Sequence, residues 1–259
     1  MQDLTITLIQ TSLAWEDASE NLSMLDKKID ALDGKTDLII LPEMFSTGFS
    51  MNPAELAQKM DGTTIKWICS KSLKIGADIT GSLIISEKGN YYNRLIWAKP
   101  DGRLFTYDKK HLFRFAGEEK VYSAGNQRLT IDLCGWKIRP FICYDLRFPV
   151  WTRNMDNIYD LSIFIANWPE IRSPHWKTLL EARAIENQSY VVGVNRVGKD
   201  GNGSSYSGDS SVIDPKGTVL FRESHKEVVK TMALSASNLA EYRKTFPAWM
   251  DGDRVLLID

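Results

Sequence analysis

Cys143 stands where a short apolar segment gives way to a polar one that ends in proline. It directly follows Phe141-Ile142 and precedes the segment 144–149, which closes with Phe148-Pro149. In an α/β protein, the end of a buried strand is where a side chain reaches the crevice beside the sheet. A thiol in this position is a candidate nucleophile, because the thiolate that it forms can attack a carbonyl carbon.

Two other apolar runs end in the charged groups that a cysteine nucleophile needs. The run 38–42 ends at Glu43, and the run 104–107 is followed by Lys109 and Lys110. The carboxylate can accept the thiol proton, return it to departing ammonia and later activate water, while an ammonium stabilises the thiolate and the oxyanion. These residue types predict hydrolysis of an amide without a histidine or a metal. Consecutive strand residues face opposite ways, so the spacing by itself leaves Lys109 and Lys110 both open.

Two further residues are candidates for contacts with a substrate. The backbone N–H of Tyr144, in the turn after the cysteine, could donate a second hydrogen bond to the oxyanion. Trp168 follows a predicted buried strand and lies in a loop, so we expect it to form a wall of the ligand site. Trp176 lies at helical spacing, which is more typical of a core residue.

Size and charge exclude several classes of function. The chain has 259 residues, of which 43% are hydrophobic, and 32 Lys and Arg stand against 33 Asp and Glu. We find no linker, repeat or low-complexity segment, so we expect one domain over residues 1–259. The balanced charge without long charged blocks argues against a nucleic-acid groove and a polybasic membrane patch. The first residues do not resemble a signal peptide and no segment has the apolar run of a spanning helix, so we expect a cytoplasmic protein.

The cysteines and histidines argue against a disulfide framework and against a metal centre. Cys69, Cys134 and Cys143 form an odd set without a Cys-x-x-Cys pair, which predicts free thiols. The histidines are widely separated in sequence: His111, His175 and His225. We therefore expect no metal centre.

Hydrophobic patterning predicts strands and helices that alternate around a local antiparallel meander. The predicted strands are 4–10, 37–41, 79–86, 91–99, 103–108, 129–133, 137–142, 161–166, 190–195, 210–214, 218–222 and 228–234. The predicted helices lie near 21–32, 65–73, 148–155, 173–187 and 237–246, and a serine cap before proline predicts that the fourth begins at Ser173-Pro174. The glycine-rich segment Gly198 to Gly208 is predicted as a loop without the context of a phosphate-binding loop. Together, these strands and helices predict an α/β architecture with a mixed sheet covered by helices.

Three segments together resemble the signature regions of the nitrilase, or carbon–nitrogen hydrolase, superfamily. They are Leu41-Pro42-Glu43-Met44-Phe45, Tyr107-Asp108-Lys109-Lys110-His111-Leu112-Phe113 and Cys143-Tyr144-Asp145-Leu146-Arg147-Phe148-Pro149. The resemblance selects Lys109, which stands two residues before the histidine of the middle segment. It also implies a four-layer α-β-β-α sandwich with mixed sheets, usually paired into a homodimer through a helix layer, and no cofactor.

The resemblance narrows to the bacterial omega-amidase branch and extends over nearly the whole chain. The segments that carry it are Ala166-Asn167-Trp168-Pro169, His175-Trp176, 182–188 and Asn195-Arg196-Val197-Gly198. The branch implies deamidation of 2-oxoglutaramate and 2-oxosuccinamate to 2-oxo acids through a cysteine thioester.

The family also implies a second active-site glutamate that positions the substrate amide. Spacing to Gly125 indicates Glu118, with Glu119 beside it. The substrate carboxylate would need a cation, for which Arg147 and Arg196 are both available, and the residues assign neither.

Other readings of the same residues remain. Another amidase of the superfamily, acting on N-carbamoyl compounds, aliphatic amides or nitriles, would use the same three groups. His111 could pair with Cys143 as a dyad, although no Asn or Asp with a clear orienting role accompanies it. A catalytically silent dimeric scaffold is the alternative from a different class.

Overall fold

Two mixed β-sheets form the centre of the computed structural model, which describes residues 1–254. The strands are β1 (Leu4–Gln10), β2 (Leu38–Ile40), β3 (Asp78–Glu87), β4 (Asn90–Ala98), β5 (Leu104–Asp108), β6 (Ile131–Leu133), β7 (Trp136–Ile142), β8 (Leu161–Ala166), β9 (Tyr190–Asn195), β10 (Val197–Lys199), β11 (Ser205–Ile213), β12 (Val219–Ser224) and β13 (Val228–Leu234). The helices are α1 (Ala18–Asp30), α2 (Pro53–Leu56), α3 (Thr63–Ile75), α4 (Pro149–Thr152), α5 (Ser173–Asn187) and α6 (Ala236–Thr245).

Each sheet combines parallel and antiparallel pairs. The first sheet has the order β13-β1-β2-β3-β4-β5, in which β1, β2 and β3 run parallel and the other pairs are antiparallel. The second has the order β10-β11-β9-β8-β7-β6, with β12 paired to β11, and its parallel strands are β7, β8 and β9. The carboxyl ends of β2, β7 and β8 therefore lie where sheet-edge crevices form.

Two apolar cores hold four layers together. Leu25 of α1 and Ile68 of α3 pack on one face of the first sheet. The other face of that sheet packs against the second sheet, whose far side is covered by Trp176 of α5. The predicted four-layer α-β-β-α sandwich of the α/β class is confirmed, and Trp176 lies in the core as expected.

The long helices follow from local sequence signals. Asp17 caps α1 by accepting a hydrogen bond from the backbone N–H of Glu20. Asn21, Leu25 and Ile29 recur at four-residue spacing and form the buried face of the same helix. No helix within residues 1–254 is both long enough and apolar enough to cross a membrane.

Three predictions about secondary structure are wrong in part. Ser173 is the first residue of α5 rather than its cap, because its Oγ donates to Asp209 Oδ2 at 2.7 Å. The predicted loop 198–208 shrinks to residues 200–204, because the glycine-rich backbone at both ends joins the ladders of β10 and β11. The predicted helix 148–155 ends at Thr152, since Arg153 is extended.

Candidate active site

Cys143 begins a tight turn directly after β7 and has a left-handed backbone, with φ of 44°. This conformation is uncommon for residues other than glycine and costs about 1–3 kcal/mol, so the surrounding structure must hold it in place. The Asp145 carboxylate does so by accepting a hydrogen bond from the backbone N–H of Ile142 at 3.0 Å. The sulfur is thus presented at the strand end, and the residue is only 9% exposed.

The same Asp145 carboxylate links the turn that begins at Cys143 to residues on both sides of Lys109. Tyr107 donates its hydroxyl to Asp145 Oδ2 at 2.6 Å, and His111 brings its backbone N–H at 3.0 Å and its Nδ1 at 2.7 Å to Oδ1. The His111 ring also stacks on Phe148. The structure therefore brings His111 to Asp145 rather than to Cys143, where it fixes the loop after Lys109.

Lys109 lies between two glutamates at the bottom of the site. Its Nζ is 2.9 Å from Glu43 Oε1 and 3.0 Å from both carboxylate oxygens of Glu118. Lys109 is 1% exposed and both glutamates are fully buried. Lys110 faces the other way, with its Nζ 5.3 Å from the centre of the Trp151 ring. The ammonium at the site thus belongs to Lys109.

Both sheets contribute hydrogen bonds to Glu43. Oε1 also accepts from the Asn93 side chain at 2.8 Å, and Oε2 accepts from the backbone N–H of Asn167 at 2.7 Å. The Asn167 side chain donates to the carbonyl of Glu43 at 2.6 Å. Because Asn93 belongs to β4 and Asn167 follows β8, the carboxylate is fixed from two sheets at once.

Burial and close charges raise the pKa of Lys109, Glu118 and Cys143, each for a different reason. Burial opposes the charged form of Lys109, yet the carboxylates of Glu118 and Glu43 outweigh it and raise the pKa of the lysine. Burial raises the pKa of Glu118, although Lys109 acts in the opposite direction. Burial and then the charge of Glu43 raise the pKa of the Cys143 thiol well above its usual value, while Lys109 lowers it. The resting thiol is therefore protonated at neutral pH and needs a base as it attacks.

Gly125 keeps the segment that carries Glu118 close to the lysine strand. Its N–H donates to the carbonyl of Lys109 at 2.9 Å, and an added Cβ would lie 2.2 Å from the carbonyl oxygen of Asp108. Glu118 itself accepts from the backbone N–H of Phe113 at 2.5 Å, which holds its carboxylate toward Lys109. The structure thus brings Glu118 to the lysine, whereas Glu119 is half-buried beside it.

A cavity of about 240 Å³ opens above these groups. This is smaller than the roughly 300–1,000 Å³ of sites for drug-sized ligands, so a small substrate fits best. Cys143 and Lys109 lie in its wall together with Tyr144 and Trp168, two of the three residues predicted from sequence to bind substrate. The third, Glu118, is fully buried behind Lys109 and does not line the cavity. Within residues 1–254, no group of three or more His, Cys, Asp or Glu side chains could hold a metal ion.

Of the two arginines considered from sequence, only Arg147 lines the cavity. Arg196 is fully buried, and its guanidinium donates to the backbone carbonyls of Leu13, Val197 and Lys199. Arg196 is therefore a structural residue. A third arginine, Arg172, lines the cavity as well and was missed.

Sequence reasoning also missed two residues that orient the reacting groups. Asn93 stands in a strand that is otherwise rich in apolar and aromatic residues, where asparagine is normally depleted, and this was the available signal. Asp145 was part of the quoted cysteine segment, but its role depends on partners 34 and 38 residues away in the chain.

Two mixed sheets between helix layers, with a thiol, an ammonium and two carboxylates gathered at their strand ends, define the class of cysteine-dependent carbon–nitrogen hydrolases. The sequence profile of the carbon–nitrogen hydrolase family matches residues 5–244, and the chain belongs to this family.

Two curated relatives are informative. The omega-amidase YafV of Escherichia coli K12 is 46% identical over 99% of this chain and 100% of its own length. The 2-oxoglutaramate amidase of Bacillus subtilis is 33% identical over 95% of this chain and 96% of its own length.

A solved structure extends the comparison to three dimensions. A CN-hydrolase superfamily protein of Xanthomonas campestris, crystallised with an arsenic adduct in its active site, is 47% identical. It superposes with a TM-score of 0.97 over 99% of this chain and 100% of its own.

Proposed function

We propose that this chain is an omega-amidase, which hydrolyses the terminal amide of small 2-oxo acid amides such as 2-oxoglutaramate and 2-oxosuccinamate. The products would be a 2-oxo dicarboxylate and ammonia. The observation that carries the proposal is Lys109 held between Glu43 and Glu118 in the same cavity wall as Cys143. The omega-amidase and 2-oxoglutaramate amidase among its relatives support the choice of substrate.

In the proposed first half-reaction, the Cys143 sulfur attacks the amide carbon while Glu43 accepts the thiol proton. The Lys109 ammonium and the backbone N–H of Tyr144 stabilise the negative oxygen of the tetrahedral intermediate, each by about 3–4 kcal/mol. Glu43 then gives the proton to the amide nitrogen. The carbon–nitrogen bond breaks, ammonia leaves, and a thioester to Cys143 remains.

In the proposed second half-reaction, the oxygen of a water molecule adds to the thioester carbon while Glu43 accepts a proton from that water. The same oxyanion donors act again, and the carbon–sulfur bond then breaks. The proton on Glu43 goes to sulfur and regenerates the free thiol. The product forms as the carboxylic acid, loses its remaining proton to solvent and leaves as the carboxylate. The hydrogen bonds from Asn93 and Asn167 hold Glu43 still for this sequence of proton transfers.

Two further residues are proposed to bind the substrate. Glu118 would accept a hydrogen bond from the amide nitrogen, because its carboxylate lies beside Lys109 at the site where the leaving group must sit. Trp168, which is 3% exposed and lies in the cavity wall, would contact the carbon chain of the acid.

Ammonia release from 2-oxoglutaramate tests the proposal directly. The wild-type enzyme should release ammonia, and Cys143→Ala should lower kcat by at least about 10⁴-fold. Equal background rates in the two proteins would contradict the proposal and support a catalytically silent scaffold. Nitriles and N-carbamoyl amino acids assayed beside 2-oxo amides would show whether another amidase activity is preferred.

We further propose that residues 1–259 form a single domain that acts as a homodimer in the cytoplasm. The site takes residues from both sheets, which supports one domain. Ile185 on α5 is 53% exposed and Phe246 after α6 is 57% exposed, which supports pairing through this helix layer. Cys69, Cys134 and Cys143 are all free thiols, which supports a reducing compartment. Light scattering of the purified protein should give about twice the monomer mass.

A further inference from the structure

Two guanidinium groups line the cavity without a carboxylate partner. Arg147 and Arg172 both lie in its wall together with Cys143. Within residues 1–254, no salt bridge joins either of them to an acidic side chain. Nη2 of Arg147 is 3.1 Å from His175 Nδ1, and the Arg172 guanidinium lies 5.3 Å from the centre of the Phe113 ring. Such groups are well suited to bind a carboxylate with two parallel hydrogen bonds.

Trp168 contacts both arginines. Its ring lies under the Arg147 guanidinium at 4.8 Å, and its indole N–H donates to the backbone carbonyl of Arg172 at 2.8 Å. The Trp168 side chain is buried, and its backbone N–H donates to the Asn195 side chain at 2.8 Å. The Arg147 guanidinium thus lies on a fixed ring and Arg172 extends from a fixed backbone, which reduces the entropy lost when an anion binds between them.

The charges around this pair favour an anion. Burial lowers the pKa of Arg147, and the positive charge of Arg172 adds to that effect. Within residues 1–254, the acidic residue that lines the cavity is Asp200, whose carboxylate already accepts from the Tyr206 hydroxyl and from the backbone N–H of Asn202 and Ser204. Two like charges held close together are stabilised by a negative ligand.

We propose that Arg147 and Arg172 together bind the 2-oxo acid end of the substrate and thereby select amides that carry a carboxylate. The amide end lies at Cys143, so the distance from the arginine pair to the sulfur sets the preferred chain length. This inference rests on the proposed omega-amidase function and names the residues that give it its substrate class. Neither arginine contacts the scissile bond in this arrangement, so both are binding residues.

Steady-state kinetics provide the first test. Arg172→Gln and Arg147→Gln should each raise KM for 2-oxoglutaramate about 10- to 100-fold, because a charge-assisted hydrogen bond is lost, with a much smaller change in kcat. Arg172→Lys should recover part of the loss, because the charge remains. The ratio of kcat/KM for 2-oxoglutaramate to kcat/KM for a neutral amide such as butanamide should fall in Arg172→Gln and Arg147→Gln, because only the first substrate has a carboxylate contact to lose. Arg103→Gln, which removes an exposed arginine paired with Asp101, is the matched control.

Calorimetry provides a second test that does not depend on turnover. In a Cys143→Ala background, 2-oxoglutarate should bind, and adding Arg172→Gln or Arg147→Gln should weaken its Kd about 10- to 100-fold. Unchanged affinity, or no binding of 2-oxoglutarate at all, would overturn the arginine assignment. If arginine-dependent binding is found but the wild type releases no ammonia from 2-oxo amides, the proposed function fails while the carboxylate site stands.

Discussion

The floor and the rim of the cavity are built in opposite ways. The floor consists of Lys109 and Cys143, which line the cavity, and of Glu43 and Glu118, which lie behind them against Lys109; it is buried and joined by hydrogen bonds to both sheets. The rim, made of Phe115, Ala116, Arg172 and Asn202, is half-buried or exposed, and Phe115 is 85% exposed. Chemistry needs a dry, fixed floor because charges act strongly there, whereas recognition can be placed on side chains that are free to adjust. The rim can therefore change without loss of the chemistry, but the floor cannot.

Among substitutions that keep the Cys143 nucleophile, removal of the floor ammonium should have the largest effect. In Lys109→Gln, two buried carboxylates face each other without a cation, so kcat should fall by about 10³-fold or more. The free energy of unfolding should fall by about 3–5 kcal/mol, because an ion-pair partner is lost in the interior. Ammonia release and urea unfolding measure the two effects. Lys110→Gln is the control at the next position and should retain kcat within about threefold. An equal loss of kcat in the two variants would contradict the assignment of the ammonium to Lys109.

Substitutions at Glu118 and Glu119 compare a residue of the floor with its neighbour in sequence. Glu118→Gln should lower kcat about 100-fold, because the substrate amide loses a charged acceptor and Lys109 loses one partner. Glu119→Gln should remain within about threefold of wild type. The same ammonia assay checks both. A larger effect at position 119 than at 118 would mean that the positioning glutamate has been assigned to the wrong residue.

The protonated resting thiol predicts a steep pH dependence of alkylation. The pKa of Cys143 lies well above that of an ordinary thiol, so the thiolate fraction at pH 7 is small. In a Cys69→Ser, Cys134→Ser background, the rate of reaction with iodoacetamide should rise by up to about tenfold per pH unit from pH 7 to 9. Mass spectrometry of the labelled protein follows the rate. A plateau below pH 8 would show a stable thiolate, and Glu43 would then not be needed as a base for the attack.

A substitution at the rim should have the smallest effect. Phe115→Ala removes a ring that contacts only Phe113 and the Arg172 guanidinium among the ring interactions of the described chain. We expect kcat to stay within about twofold and KM to rise no more than about threefold, because little buried area is lost. Kinetics with 2-oxoglutaramate measure this. A tenfold fall in kcat would show that the rim takes part in the chemical steps.

Strands rich in β-branched and other apolar residues could be predicted from the sequence. β1, β8, β9 and β13 have the predicted bounds, although β13 is buried only at its end. The predicted loop 198–208 is too long, because its two ends pair with each other as β10 and β11, and a glycine-rich composition does not report such backbone pairing.

Site residues could be predicted from the sequence only where a reactive side chain follows an apolar run. Glu43, Lys109 and Cys143 were found because each follows an apolar run and carries a reactive group, and the family resemblance chose between two lysines. Asn93 and Arg172 were not found, because an amide and a surface cation look ordinary until the fold places them. Glu43, the partner of Asn93, lies 50 residues away in the chain, and the rings beside the Arg172 guanidinium, Phe113 and Phe115, are also distant in sequence. No local pattern reports such contacts.

The hydrogen bonds from Asn167 to Glu43 have a consequence for the folding of this enzyme. Asn167 and Cys143 follow strands of one sheet, whereas Glu43 and Lys109 follow strands of the other, so neither half alone can bring the fully oriented base to the nucleophile. A newly synthesised chain with only one half assembled would contain every reactive group and still be inert. Activity is thus gained in the last step of folding, when the halves dock, and its return after denaturation reports on complete assembly of the molecule.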